Sequence, residues 1–293
     1  MYKRQPLRTA LPAFVENRRI VGVPDTEVQV DEKRTAIGVK GWDPHDVMPA
    51  VARRVVGYIE DHAEKSPSQP FFAYFAFTCP HVPFVVHKDF QGKSGISPYC
   101  DFVMQSDHMV GQVVDALQRT GLDKNTLVIF TSDNGSPAKH PGANRAEEGH
   151  SPNGEYRGRK GDAWEGGHRV PFIAKWPSRI KAGARTDALF CQADMLATCA
   201  ALTGQEKPVG AIDRFNGLPL FFGQRAADGG RTDMALESQG TFHSRTGDWK
   251  LIFGLSKSER LLGNESEQTR WMEKEYGLRD PNTWELYDLN KDF

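Results

Sequence analysis

Pro70–Phe84 reads PFFAYFAFTCPHVPF: an unbroken apolar run, Phe71–Phe77, and then Thr78, Cys79 and His81 among prolines. A short continuous apolar run that follows a proline predicts a strand buried on both faces, as in parallel sheets. Thr126–Ser136, TLVIFTSDNGS, repeats that arrangement, with an apolar strand running into Ser132-Asp133-Asn134-Gly135. Helical signals flank these runs. Asp43 and Pro44 suit a helix start, and Val47, Val51, Val55 and Ile59 then recur every four residues. A second helix is predicted from Ser97–Pro98. It carries Phe102, Val103, Met109, Val110, Val113, Val114 and Leu117 inward and stops at Gly121. Val170–Trp176 predicts a third strand, and Asp194–Leu202 a short helix ended by Gly204. Alternating helices and buried strands predict an α/β architecture, a mostly parallel sheet flanked by helices.

The ends of the chain read differently. Met1 to about Gly41 lacks strong periodicity and is expected to be loop with one short strand at Arg19–Val23. Pro137 to about Gly167 is rich in glycine and charge with no clear period, and loops of that length in compact domains are usually functional. Beyond Asn216, short strands are predicted at Met234–Glu237, Thr241–Arg245, Trp249–Phe253 and Trp284–Leu289, with a turn at Thr246–Asp248. Lys257–Tyr276 reads as a charged helical insertion. The expected organisation is a main domain over 6–215 and a smaller antiparallel C-terminal subdomain over 216–293.

Composition narrows the function. The chain has 293 residues, with 37 Lys and Arg against 38 Asp and Glu for a formal charge of −1. Its pI is about 6.8, and that balance argues against a general nucleic-acid binder, which shows a basic face. The longest apolar run is far too short to span a membrane. The polar, basic opening residues show no signal peptide. Four cysteines, none in C-x-x-C spacing, argue against a disulfide scaffold, a zinc ribbon or thioredoxin-like chemistry. Buried free thiols are expected at Cys79, Cys100, Cys191 and Cys199.

In open α/β sheets ligands bind beyond the carboxyl ends of the strands. Two predicted strands end there in Thr78–Pro83 and Ser132–Gly135. The glycine-rich loop adds Arg157-Gly158-Arg159-Lys160-Gly161-Asp162 and Glu165-Gly166-Gly167-His168-Arg169. Asp133 and Asn134 are hard oxygen ligands suited to Ca²⁺ or Mg²⁺. Lys160 is a point charge for sulfate or phosphate. His81 suits binding the same oxyanion or protonating a leaving oxygen. Each has a plainer reading alone: Asp-Asn-Gly as a turn, His81 as a structural histidine, Lys160 as a solvated side chain. Together they point to metal-assisted hydrolysis of an anionic ester.

On these residues the chain resembles the formylglycine-dependent sulfatases of the arylsulfatase type, within the alkaline-phosphatase-like superfamily. The resemblance is carried by PFFAYFAFTCPHVPF (Pro70–Phe84), LVIFTSDNGS (Leu127–Ser136), RGRKGDAWEGGHRVPFIAKWP (Arg157–Pro177) and WELYDL (Trp284–Leu289). It implies that Asp133 and Asn134 ligate a divalent cation, usually Ca²⁺ with Mg²⁺ as the other option. It implies that Lys160 binds the sulfate and bridging oxygen, and that His81 lies beside the leaving group. A hydrated formylglycine is the family's nucleophile, installed by a maturation enzyme. Glu165–Gly167 are expected to shape the loop, and His168 takes no role from the family.

The chain departs from the family as well. No cysteine or serine lies in the C/S-x-P/A-x-R motif that yields formylglycine, Cys79-Pro80-His81-Val82-Pro83 being the nearest. The Asp-Asp pair and the Gly-Lys-Trp-His-type segment are also absent. The expectation is therefore an internal or C-terminal fragment that binds metal weakly and lacks turnover by itself. Met1–Gln5 matches what a GTG start and a transposon-type adaptor would encode and is expected to be a non-native leader. The expected substrate is a small aryl or carbohydrate sulfate ester, and the resemblance implies a periplasmic, extracellular or lysosomal setting. Two other readings stand beside this one. One is a phosphatase or phosphonate hydrolase of the same superfamily, although His140 and His150 lack its metal-ligand patterns. The other is a non-catalytic binder of sulfated glycans through Arg145, Arg157, Arg159 and Lys160. Asn264-Glu265-Ser266 is a glycosylation sequon, read as a solvated loop.

Overall fold

The computed structural model describes residues 11–31, 34–137, 149–224, 230–238, 241–253 and 284–292. The chain divides into two compact units, one over 1–126 and 140–150, the other over 127–139 and 151–293. His140, Arg145, the sequon at Asn264 and the expected insertion Lys257–Tyr276 lie outside the described residues.

The first unit opens with two hairpins, where the sequence predicted loop and one short strand. Val15–Glu16 (β1) pairs Arg19–Ile20 (β2), and Pro24–Asp31 (β3) pairs Arg34–Val39 (β4), both antiparallel. The second hairpin buries Val28 and Val30 and turns Glu27 and Gln29 outward. That period of two is diluted by polar side chains and by Pro24, so it resembles loop. Asp43 accepts a hydrogen bond from His45 N at 2.8 Å and caps a 3₁₀ turn that leads into helix α1, Val47–Lys65. Its buried stripe is Met48, Ala52 and Ile59: Ile59 as expected, the other two one position on from Val47 and Val51.

Helix α2, Pro98–Arg119, starts where Ser97 caps Cys100 N, and Gly121 follows it at φ +72°. Phe102, Met109, Ala116 and Leu117 are buried as helical spacing demands, while Val103 is exposed. Burial opposes ionisation of Asp101, but hydrogen bonds from Ser94 and Gly92 outweigh it and hold the carboxyl below its usual range. The unit's core gathers Met48, Ala52, Cys79, Val85, Val86, Phe102 and Met109, with Phe75 and Phe77 packed on it.

Phe71–Phe77 corrects an expectation. It forms no sheet among the described residues, and Phe72 and Tyr74 stand 82% and 74% exposed. A strand buried on both faces needs a layer on each side. Here Phe75 and Phe77 pack on the core of the helical unit, and nothing described covers the opposite side chains.

In the second unit Val128–Thr131 (β5) pairs Phe172–Lys175 (β6) with Val128 opposite Lys175 and Thr131 opposite Phe172. This pair is antiparallel, as is every strand pair among the described residues, so the expected mostly parallel sheet is not found there. Between them lies the single-turn helix α3, Glu165–His168. Helix α4, Met195–Leu202, ends near Gly204 at φ +67°. Asp194, at its start, receives Arg231 Nε at 2.8 Å and Nη2 at 2.7 Å, and Phe215 N at 2.9 Å.

The four C-terminal strands appear as predicted. They are Asp233–Ser238 (β7), Thr241–Thr246 (β8), Trp249–Ile252 (β9) and Glu285–Asp288 (β10), in the order β10-β9-β8-β7. Gly247 makes the β8–β9 turn at φ +56°. On β9 the buried phase carries Lys250 and Ile252. Among the described residues no helix is long and apolar enough to cross a membrane.

Candidate functional site

Asp133, Asn134 and Lys160 all belong to the second unit, and backbone contacts between two glycine-bearing segments bring them together. Strand β5 delivers the turn Ser132–Gly135. Ser132 Oγ donates to Asn134 O at 3.0 Å, and Asn134 Nδ2 donates to Gly135 O at 3.0 Å. The amide nitrogen is thereby engaged, and Oδ1 is the atom of Asn134 with cation-ligand character.

The loop that carries Lys160 is sewn to this turn. Gly135 N donates to Gly167 O at 2.9 Å, and Lys160 N donates to Ser136 O at 3.0 Å. Asn153 bridges the segments, accepting from Ser136 N at 2.8 Å and donating to Gly158 O at 3.0 Å. Gly166 N donates to Arg157 O at 2.7 Å. Glycine is required at three of these places. A Cβ on Gly135 would stand 1.7 Å from Gly166 O, one on Gly166 2.3 Å from Gly158 O, and one on Gly167 2.1 Å from Asp162 O. Backbone meets backbone here with no room for a side chain.

Asp162 shapes the lysine turn. Its Oδ2 accepts from Arg159 N at 3.0 Å, and burial raises its carboxyl despite the opposing charge of Arg159. Arg157 lies over the Trp164 ring at 4.1 Å and donates to Tyr287 Oη at 2.9 Å, while Arg159 is buried.

A buried ionic cluster, unread in the sequence, lies behind the loop. Lys250 Nζ, 1% exposed as a residue, donates to Glu165 Oε1 at 2.9 Å and to His168 Nε2 at 2.6 Å. Arg169 and Arg245 approach Glu165 Oε2 at 3.3 and 3.8 Å. His168 stacks on His243 with ring centroids 4.4 Å apart. Burial opposes ionisation of Glu165, but Lys250 above all, with His168 and Arg245, holds its carboxyl below the usual range. Burial, helped by Lys250, pulls His168 down to about 4 and His243 down to about 3. The one sequence signal for this cluster is a lysine on the inward phase of WKLI.

His81 belongs to the first unit. It lies between the cis peptide bonds Cys79–Pro80 and Val82–Pro83, with Nδ1 2.7 Å from Val82 O. Cys79 is a poor nucleophile candidate. Burial pushes its thiol up to about 11, and Ser106 Oγ lies 2.9 Å from its sulfur. Cys100 is buried as expected, whereas Cys191 and Cys199 are only half-buried.

For a divalent cation, Asp133 and Asn134 match in kind, since hard oxygens suit Ca²⁺ and Mg²⁺. They fall short in number of the ~6–8 oxygens that Ca²⁺ takes. Among the described residues no group of three or more His, Cys, Asp or Glu is placed to hold a metal.

Comparison with known proteins agrees with these features. The Sulfatase family model matches residues 36–205. An N-acetylgalactosamine-6-O-sulfatase of Bacteroides thetaiotaomicron is 38% identical over 170 residues, which is 57% of this chain and 32% of that protein. Human arylsulfatase A is 34% identical over 253 residues, 84% of this chain and 48% of its own length. A solved Bacteroides thetaiotaomicron sulfatase from a locus for metabolism of multiple glycosaminoglycans superposes with a TM-score of 0.71 at 31% identity. That match covers 87% of this chain and 50% of the other. A Pseudoalteromonas sp. sulfatase shares the fold at 24% identity, with a TM-score of 0.62 over 85% of this chain and 47% of that one. The chain thus spans about half the length, or less, of the relatives it matches. These neighbours place the architecture in the α/β, alkaline-phosphatase-like class. With its Asp-Asn-Gly turn sewn to the lysine loop, the chain belongs to the sulfatase family.

Proposed function

We propose that this sequence supplies the metal turn and the oxyanion loop of an enzyme that hydrolyses sulfate esters. The observation that carries this is the glycine interlock, which ties Gly135 and Ser136, the residues that follow Asp133 and Asn134, to the loop of Lys160. The Lys160 ammonium binds the sulfate oxygens and offsets the charge that builds on the bridging oxygen as the ester bond breaks. Asp133 and Asn134 hold a divalent cation, Ca²⁺ or Mg²⁺, which when bound supplies Lewis-acid polarisation of a sulfate oxygen. His81, in its imidazolium form, is assigned the proton that passes to the leaving alcohol oxygen. No step is assigned to Cys79, whose burial and raised pKa do not suit a nucleophile. The family's formylglycine, and the enzyme that installs it, have no matching motif in this chain, so the chain by itself is expected to bind without turnover.

A carbohydrate sulfate is the favoured substrate class, supported by the relative named N-acetylgalactosamine-6-O-sulfatase. The central sheet of the whole enzyme is proposed to run mostly parallel, a reading supported by the α/β class of its structural relatives.

Titration of the full chain with sulfate in the presence of CaCl₂, followed by calorimetry, tests the assignment. Lys160→Ala removes a charge-assisted hydrogen bond and is expected to weaken sulfate binding about tenfold or more. Asp133→Asn is expected to weaken calcium binding. Sulfate affinity unchanged in Lys160→Ala would overturn the reading, whereas release of 4-nitrophenol from its sulfate ester by the chain alone would overturn only the expected lack of turnover.

A further inference from the structure

The loop that bears Lys160 is held from behind at several points by the C-terminal sheet. Ser238 Oγ at the end of β7 donates to Gly161 O at 2.9 Å. Tyr287 on β10 receives Arg157 at 2.9 Å and Trp164 Nε1 at 3.0 Å. Between these lies Lys250 of β9, whose ammonium meets Glu165 and His168. Lys250 and Glu165 also border a cavity of about 560 Å³, but both are turned to each other in buried contacts, so the cavity needs no ligand to satisfy them.

Glu165 is the first residue of α3, and the next two residues are the glycines of the interlock. Gly166 meets Arg157 and Gly158 on the lysine side. Gly167 O receives Gly135 N on the metal-turn side. A displacement of Glu165 therefore moves both segments, since contacts tighter than any side chain permits leave no slack to absorb it.

We infer that Lys250 is a positioning residue for the oxyanion site: by pinning the Glu165 carboxylate it sets the Gly166–Gly167 turn, and through that turn the placement of Lys160 against Asp133 and Asn134. This rests on the reading of Lys160 as the oxyanion group. The role is electrostatic as well as steric. Glu165 gathers Lys250, Arg169 and Arg245, and loss of Lys250 leaves the two arginines to draw the carboxylate toward the other side.

The test follows backbone amide signals of the full, isotope-labelled chain during titration with sodium sulfate, in the wild type and in Lys250→Met, Lys250→Arg, Glu165→Gln and Lys160→Ala. Lys250→Met and Glu165→Gln are each expected to weaken sulfate binding about tenfold, the upper range for coupling through a packed network. The signals of α1 and α2, which belong to the other unit, should keep their wild-type positions. Lys250→Arg keeps the cation and is expected to restore binding to within about threefold. Sulfate affinity at the wild-type level in both Lys250→Met and Glu165→Gln, with Lys160→Ala defective, overturns this inference and leaves the proposed function standing. Wild-type affinity in Lys160→Ala overturns both. Should Lys250→Met fail to fold, Glu165→Gln, which keeps the side-chain shape, decides the matter by the same titration.

Discussion

Gly135→Ala isolates the interlock with a single methyl group. The backbone of Gly135 is not in the left-handed region, so alanine is disfavoured there only by what its Cβ meets. That is Gly166 O at 1.7 Å, whereas carbon and carbonyl oxygen keep to about 3.3 Å or more. The two segments must part by roughly 1.5 Å to admit the methyl group. Parting stretches Gly135 N to Gly167 O, now 2.9 Å, and Lys160 N to Ser136 O, now 3.0 Å, beyond hydrogen-bonding range. Two net backbone hydrogen bonds at about 1 kcal/mol each, with about 1–3 kcal/mol of overpacking strain, make a loss of about 3–5 kcal/mol. Urea unfolding followed by tryptophan emission measures this, since Trp164 lies within the loop. At a slope of about 2 kcal/mol per molar the midpoint falls by about 2 M. Gly111→Ala is the control. Gly111 lies inside α2 with no atom within 4 Å of the new methyl group, and the change should stabilise by about 0.5–1 kcal/mol. A wild-type midpoint together with unchanged sulfate binding in Gly135→Ala would refute the interlock.

Acid should weaken the second unit through His168 and His243. In the fold they titrate at about 4 and about 3, against 6.5 for a free imidazole, so between those values the unfolded chain binds more protons. Stability is then full above pH 6.5 and falls as pH drops towards 4 and below, with His168 alone accounting for about 3 kcal/mol. Urea midpoints from pH 7 to pH 4 should show this slope, and a His168→Leu, His243→Leu double variant should flatten it; a flat wild-type profile counts against it. Cys79 should resist iodoacetamide at pH 8 in the folded chain, because burial holds its thiol at about 11, while the half-buried Cys191 reacts faster. Peptide mass mapping reads the order of labelling, and early modification of Cys79 would show that its surroundings open readily.

Local signals carried much of the fold. Asp43 and Ser97 as caps, Gly121 and Gly204 as stops, and the apolar spacing within each helix act over four residues or fewer, so they are visible in sequence. The C-terminal strands were legible for the same reason, each being a short alternating run between turn residues. The hairpin of Pro24–Asp31 and Arg34–Val39 was missed because Val28 and Val30 are its only buried side chains on the first strand. The FFAYFAF run was misjudged because an apolar run states what a segment prefers to bury, and only neighbouring chain decides whether both faces are covered. The antiparallel heading of β5 and β6 was not legible for a related reason: residue pattern reports burial and says nothing of the partner's heading.

The site divides along the same line. The sequence alone determined the chemical inventory, because charge, ligand hardness and the freedom of glycine belong to residues wherever they sit. Asp133, Asn134, Lys160 and His81 were therefore legible as candidates, as was the glycine-rich loop around the lysine. Only the tertiary structure decided that Gly135, Gly166 and Gly167 lock the metal turn to the lysine loop, and that Lys250 reaches across 85 residues to hold Glu165. Those are long-range contacts. Their strength comes from burial and from a near approach of chains distant in sequence, and neither quantity exists until the chain has folded.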